Sequence, residues 1–417
     1  MAIQPSKLTI AFAALVIICL SGWIMDFSRT VITAPKAQGG ITELQVYITH
    51  PDRVKMHIEY YRESGEHRGV FSTLWRFGSE KFHGALKSLF AFDLPSVMKN
   101  IAEGFKALMW ALRHHYIYSI IFFAITLAVI SIGGGGICRI AALQFAKNEK
   151  PGISEAIRFS AKRFLSLFTV PLTPVGIIIS MGLFVFLLGL IGNIPRAGEL
   201  IIGIFMLPAL IAGTLIATVL IGTVAGFNLM FPAIVYDGSD CLDAIGRSFS
   251  YVYSKPWQMG FYTVIAVVYG AICYTFVRFF AFLLLWVTRW FLQIGIWVNN
   301  NNNINKLAAI WPEPSFIGLR GSPPLTTLNW SESFATFLVY LVLLFVVGLL
   351  VSFVISFYFS ANTIIYALMR NRVDNTALKD IYTPAAEVKT ESIATEFEPK
   401  KSKAKPMHKH KPPASDQ

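Results

Sequence analysis

An all-α integral membrane protein with about six transmembrane helices and a parallel internal repeat is the fold class this sequence predicts, on three observations. The 417 residues are 54% hydrophobic and only 14% charged, far too apolar for a soluble chain of this length. The apolar residues gather into runs long enough to cross a hydrocarbon core of about 30 Å. A unit made of a span end, a basic turn and an amphipathic stretch occurs twice. Shifted by about 88 positions, Glu155-Ala156-Ile157 falls on Asp243-Ala244-Ile245, Ser160 on Ser248 and Gly134 on Gly222.

Residues 1–29 are expected to form an anchor, with 8–25 as the first span. A cleaved signal peptide is the competing reading. Only Lys7 charges the segment before the run, and no small-x-small site follows it, so an uncleaved anchor is expected.

Residues 30–115 form a long polar connection. Ile41, Leu44, Val46 and Ile48 suggest a short half-buried strand over 41–50, after a loop marked by Pro35 and Gly39-Gly40. From Val70 the period becomes helical. Phe71, Leu74, Trp75, Phe82, Leu86 and Phe90 fall near one face, and after Pro95 a second stretch carries Ile101, Phe105, Leu108, Met109 and Leu112. These stretches are too apolar on one side for water and too charged to span, so they are expected at the membrane interface or against the bundle.

Residues 116–383 are expected to form the helical membrane bundle. Its spans are 116–137, 170–191, 201–235 (tilted, or kinked at Pro208), 259–280 and 334–358. Arg139, Lys147, Lys150, Arg158, Lys162 and Arg163 follow the first of these, and the positive-inside rule puts that short basic loop in the cytosol. Both termini are then cytoplasmic and 30–115 lies outside. That connection is itself basic, but loops of more than about 60 residues follow the rule poorly. Asn299 to Asn303 open a Pro- and Trp-rich external loop. Residues 384–417 read as a disordered basic cytosolic tail.

Each copy of the unit reads as a surface-lying helix. Ile157, Ala161, Phe164, Leu165 and Phe168 make the apolar face of the first, opposite Glu155, Arg158, Lys162 and Ser166. The second sets Leu242, Ile245, Phe249 and Val252 against Asp243, Arg247, Ser250 and Ser254, and Lys255-Pro256 stops it. A weaker third echo at 363–381 lies over 139–157.

The net charge of +12 sits in short loops and a tail beside apolar runs, which argues for topology and lipid affinity over nucleic acid. Cys19, Cys138, Cys241 and Cys273 lie in or beside apolar segments without ligand spacing, so neither a disulfide framework nor a zinc site is indicated. His114-His115 and His408/His410 lack the further ligands of a closed metal site. No GxSxG, HExxH, Walker loop or GxGxxG in a strand-turn-helix setting is present, and the clear spans hold no carboxylate of a proton or sodium relay. No metal or cofactor is expected.

The candidate residues fall into three groups. Arg158, Lys162, Arg163 and Arg247 are candidates for anionic headgroups, against the plainer reading of ordinary positive-inside loops. Arg278 and Arg289 are intramembrane or interfacial cations, either binding an anionic ligand or snorkelling to the interface. Gly133 and Gly134, with Gly222 and Gly226 in the second copy, are packing or hinge glycines, the rival reading of Gly133 to Gly136 being an unwound stretch lining a substrate path.

A span end, the loop Tyr236-Asp237-Gly238-Ser239, an Asp/Glu-Ala-Ile helix with a following Arg and Ser, and Lys255-Pro256-Trp257 close the repeated pattern. In these residues the chain resembles the multipass domain of some bacterial glycerophosphodiester phosphodiesterases and of related inner-membrane proteins. The resemblance covers about a third of the chain and reaches none of the soluble phosphodiesterase domain, so it implies a bacterial inner-membrane protein and carries over no enzymatic activity. The expected function is noncatalytic: organising envelope lipids, anionic ones among them, or partner proteins, without nucleic acid. A permease or lipid transporter built on the repeat is the alternative.

Overall fold

The computed structural model describes residues 4–35, 40–195, 197–295, 306–316, 319 and 329–382. The chain divides into two units, Met1–Ile381 and Tyr382–Gln417, and every element named here belongs to the first. The asparagine tract at 299–303 and the tail expected at 384–417 lie outside the described residues.

Helix α1 (Pro5–Met25) starts with proline in its first turn, where the missing N–H has no intrahelical partner to lose. A 3-10 turn then reaches Arg29 in the left-handed region (φ 42). Strand β1 (Val31–Thr33), helices α2 (Glu43–Thr49) and α3 (Val54–Tyr61) and strand β2 (Glu66–Arg68) follow, and β1 pairs antiparallel with β2 with Val31 opposite Arg68. Helices α4 (Val70–Phe90) and α5 (Leu94–His114) pack side by side. The bundle continues with α6 (Tyr116–Lys147), α7 (Ile153–Lys162), α8 (Phe164–Thr169), α9 (Thr173–Ile191), α10 (Ala197–Asp237), α11 (Cys241–Ser254), α12 (Pro256–Gly295), α13 (Lys306–Ile310) and α14 (Trp330–Asp374).

Six of these helices, α1, α6, α9, α10, α12 and α14, are long and apolar enough to cross a membrane, matching the six apolar runs. Helices of 40 to 45 residues exceed the roughly 20 that a bilayer requires, so α10, α12 and α14 extend beyond the hydrocarbon. The helices α6, α10 and α14 each stop at a residue with positive φ, Asn148 (58), Gly238 (63) and Asn375 (53), the usual left-handed helix ending.

Contacts at both ends fix the helix directions. Lys7 near the start of α1 reaches Gln144 near the end of α6 (3.0 Å), and Asp26 just past α1 accepts from Tyr118 at the start of α6 (3.0 Å). Phe12 of α1 meets Phe345 of α14 with ring centroids 5.3 Å apart. Tyr358 and Tyr366 of α14 hydrogen-bond Asn228 and Asp237 of α10 in the same order. Helices α10 and α14 therefore run parallel.

The expected strand over 41–50 is not formed; α2 occupies it. Thr42 starts the helix with a reciprocal capping box, its hydroxyl accepting from Gln45 N (3.3 Å) and its own N–H donating to Gln45 Oε1 (3.0 Å). Leu44, Tyr47 and Ile48 then share one helical face, a spacing that the alternation of Ile41, Leu44, Val46 and Ile48 had masked. Helices α4 and α7 each pack one stripe against the protein and leave apolar residues of the sequence-read face at the surface. Val70, Thr73 and Phe77 are the buried residues of α4, while Trp75, Phe82 and Phe90 stay exposed. Helix α7 buries Ala156, Phe159 and Ser160, leaving Ile157 and, beyond it, Leu165 at the surface. On α7 the packed residues Ser160 and Ala156 lie against Gly135 and Gly136 of α6, whereas Val70 and Phe77 of α4 pack in a cluster with Leu44 and Trp110.

Candidate functional site

Polar side chains gather at the end of the bundle where α10 and α14 terminate. Asp237, the last residue of α10, has a side chain only 5% exposed. Burying a carboxylate without partners is costly, and here three partners meet it. Arg247 Nη1 donates to its Oδ2 at 3.2 Å, the Tyr366 hydroxyl donates to the same oxygen, and Arg370 Nε lies 2.9 Å from Oδ1 in ion-pair rather than hydrogen-bond geometry. Tyr366 and Arg370 are one turn apart on α14 and so present to α10 together. Arg247 is held from behind by Asp243, one turn earlier on α11 (3.0 Å).

The network spreads from there. Tyr251 of α11 donates to Asp374 at 2.5 Å, and burial followed by this bond pushes its phenol up from the ordinary value. The rings of Tyr236 and Tyr251 flank Tyr366, with centroids 6.0 and 5.5 Å away, and the Arg370 guanidinium lies 5.3 Å from the centre of Tyr236. Past Asn375 the chain folds back over this end. The Tyr236 hydroxyl donates to the Leu378 carbonyl, Arg370 Nη1 to that of Asp380 (2.7 Å), and Lys255 Nζ to that of Arg372 (2.6 Å). Two arginines and a phenol around one buried carboxylate make a cross-link between three helices.

Of the expected headgroup residues, Arg247 is committed to Asp237 and Asp243. Arg163 Nη1 stands 3.6 Å from Asp240 at the start of α11, which ties the two basic turns to one end of the bundle. Arg158 and Lys162 are exposed on α7 beside Ile157.

The four glycines Gly133 to Gly136 lie inside α6 without a break and all are buried. A Cβ at Gly133 would stand 3.1 Å from Ala14 of α1, at Gly134 2.5 Å from Phe359 of α14, and at Gly135 2.7 Å from Leu167 of α8. A Cβ at Gly222 would stand 3.0 Å from the Phe249 ring, and one at Gly226 would make ordinary contact with Ser248 and Val252. The run is a seam where α1, α7, α8 and α14 close on α6, helical where an unwound stretch was the rival expectation.

Arg278 is 5% exposed and does not reach outward along its own stem. Its Nε donates to the Phe316 carbonyl (2.9 Å), and its Nη1 meets the Tyr274 hydroxyl (2.7 Å) and His83 Nε2. His83 Nδ1 lies 2.6 Å from the Ser79 carbonyl, which needs a proton on Nδ1 and leaves Nε2 as the acceptor. Burial first, and Arg278 second, lower the His83 pKa. Arg289 hydrogen-bonds the Trp311 carbonyl (3.2 Å) and stands 3.9 Å from Glu313. His115 approaches Glu43 (3.6 Å), whose Oε1 also accepts from Trp110 (3.1 Å). Among the described residues no group of three or more His, Cys, Asp and Glu side chains is placed to hold a metal ion.

Sequence reasoning missed the Asp237 network because its α14 members, Tyr366 and Arg370, are more than a hundred positions from Asp237, although Arg247 is only ten away. The available signal was an acid closing a long apolar run, with Arg370 closing the last one. No family model matches the chain, and neither a curated protein nor a solved structure does.

Proposed function

We propose that this is a noncatalytic multipass protein of the bacterial inner membrane, organising envelope lipids or partner proteins through its surface-lying helices and its external region. The observation that carries the reading is the sealed seam at Gly133 to Gly136. A transporter exposes irregular backbone or a polar path near the midplane, whereas here a continuous helix is filled on each side by Ala14, Phe359 and Leu167. A permease remains the alternative reading of two parallel repeated units, and a wet seam is what it requires.

Exposed Arg158 and Lys162 beside exposed Ile157 and Leu165 support a helix lying at a charged leaflet. The short basic turns support a cytoplasmic leaflet here, with both termini on that side. The direction of α10 and α14, and the Arg163–Asp240 pair between the two turns, support the repeat. Kinship with the multipass domain of the phosphodiesterases belongs to the same proposal and rests on Tyr236 to Ser239, whose Asp237 anchors the inner-end network.

The test is the lipid and protein content of particles cut from the membrane without detergent, read by mass spectrometry. Wild type is expected to be enriched in anionic lipid or in a defined partner, and Arg158→Gln with Lys162→Gln to lose the lipid enrichment. Bulk lipid composition and no partner in both would overturn the reading.

A further inference from the structure

The C-terminal end of α1 opens into a cleft of about 600 Å³ lined by Trp23, Ile24, Phe27, Arg29, His67 and Arg68, with Asp26 at its floor. Three features of this cleft bear on what it takes. The first is charge. The Asp26 carboxylate is already spent, accepting from Phe71 N and Ser72 N (both 2.8 Å) at the start of α4 and from the Tyr118 hydroxyl (3.0 Å). Arg29 is exposed, and among the described residues it has no ion-pair partner. Arg68 meets Glu66 at 3.2 Å, but that pair is half open to solvent and holds its arginine weakly. The free charge facing the cleft is cationic.

The second feature is extent. A smaller cleft of about 140 Å³ shares Arg68 and Ser72 as its wall and adds Arg76 and, one turn on along α4, Glu80. The two form one groove bearing Arg29, Arg68 and Arg76, and guanidinium groups are the side chains that match phosphate geometry.

The third is depth. Trp23, Ile24 and Phe27 are 74%, 67% and 90% exposed at the end of a membrane-crossing helix. Large apolar side chains in that position sit at the headgroup boundary, where tryptophan is enriched. Arg29 directly after them is held with positive φ, which turns the chain back toward the groove.

We propose that this groove binds the phosphate headgroup of an anionic phospholipid, with its acyl chains against Trp23, Ile24 and Phe27. This deepens the lipid-organising reading and rests on it for the class of ligand, but the site lies at the opposite end of α1 from the Lys7–Gln144 contact and uses none of the α7 residues. The leaflet is the outer one in the orientation given above.

The experiment uses the full chain in nanodiscs of phosphatidylcholine mixed with phosphatidylglycerol, with retained lipid counted by native mass spectrometry after detergent exchange. Arg29→Asn, which keeps a residue tolerant of positive φ, and Arg68→Gln are each expected to lower the preference for phosphatidylglycerol by about fivefold. Inorganic phosphate is expected not to displace the lipid. Unchanged preference in both variants overturns the site, and so does displacement by inorganic phosphate, which assigns the groove to a free anion. Trp23→Ala with Phe27→Ala provides a second reading at exposed positions, and retention equal to wild type there overturns the acyl-chain placement. Arg158→Gln with Lys162→Gln runs in parallel. Loss only in that variant upholds the inner-face reading and sinks the groove, whereas loss only in Arg29→Asn and Arg68→Gln does the reverse.

Discussion

The ring of Phe359 on α14 occupies the space that a side chain at position 134 on α6 would need, with its Cζ 2.5 Å from where a Cβ would stand. The same device recurs where Gly22 takes the Phe71 ring, Gly270 the Phe357 ring and Gly348 the Phe12 ring, all within 2.9 Å. Without a hydrophobic drive between helices inside lipid, such close fits are what hold spans together.

Gly134→Ala is therefore expected to destabilise the protein by about 1–3 kcal/mol through overpacking. Phe359→Ala leaves a cavity and costs about 3–5 kcal/mol alone. The double variant is expected to be more stable than the sum of the two predicts, because the new methyl group enters the vacated space. Thermal unfolding in detergent measures this, and strict additivity would show that the two residues do not touch.

Asp237→Asn leaves Arg247 and Arg370 facing a neutral amide in a buried site, and is expected to cost about 3–5 kcal/mol. Asp243 is half exposed, so Asp243→Asn is expected to cost about 0–1 kcal/mol although it also touches Arg247. Equal losses for the two, measured by unfolding under the same conditions, would contradict the burial argument.

These networks also mark where the sequence stops being legible. The six crossings follow from length and hydropathy, which are local properties of each run. The partners that tie Asp237 and Arg278 to other parts of the chain are not local: Tyr366 is 129 positions from Asp237 and His83 is 195 from Arg278. Local chemistry was also decisive at Thr42, whose reciprocal bonds with Gln45 favoured a helix over the strand that alternation suggested. The apolar stripes of α4 and α7 were visible, but which stripe packs on the protein depends on distant residues, Leu44 and Trp110 for α4 and Gly135 and Gly136 for α7.

Gly69 allows Asp26 to cap α4, since a Cβ there would fall 2.0 Å from the Asp26 carboxyl carbon. Gly69→Ala and Asp26→Ala are each expected to weaken the start of α4 by about 1–2 kcal/mol. Amide exchange at Phe71 and Ser72, whose N–H groups the carboxylate accepts, is the direct measurement. Protection equal to wild type in both variants would remove the cap from the account.

Burial lowers the His57 pKa, and burial with the adjacent Arg278 lowers that of His83. The folded state thus favours both imidazoles neutral, while the unfolded chain takes up protons near the ordinary value of about 6.5. Stability is fully present above that value and declines as pH falls from it toward the lowered folded values. His83→Gln is expected to flatten part of the decline in melting temperature below about pH 6.5. A steeper decline in the variant than in wild type would reverse the sign assigned to His83.

The central claim is that the seam of α6 is dry, and Cys138 two residues past the glycines reports on it directly: it is fully buried, with its sulfur 3.9 Å from the Phe359 carbonyl. In a variant with Cys19, Cys241 and Cys273 changed to serine, a water-soluble maleimide is expected to leave Cys138 unlabelled in native membranes and to label it after unfolding, while Asn148→Cys on the same background, at the end of α6, labels at once from one side. Labelling of Cys138 in the folded protein at a rate near that of the Asn148→Cys control would mean a water-filled path along α6 and would contradict the sealed seam in favour of transport.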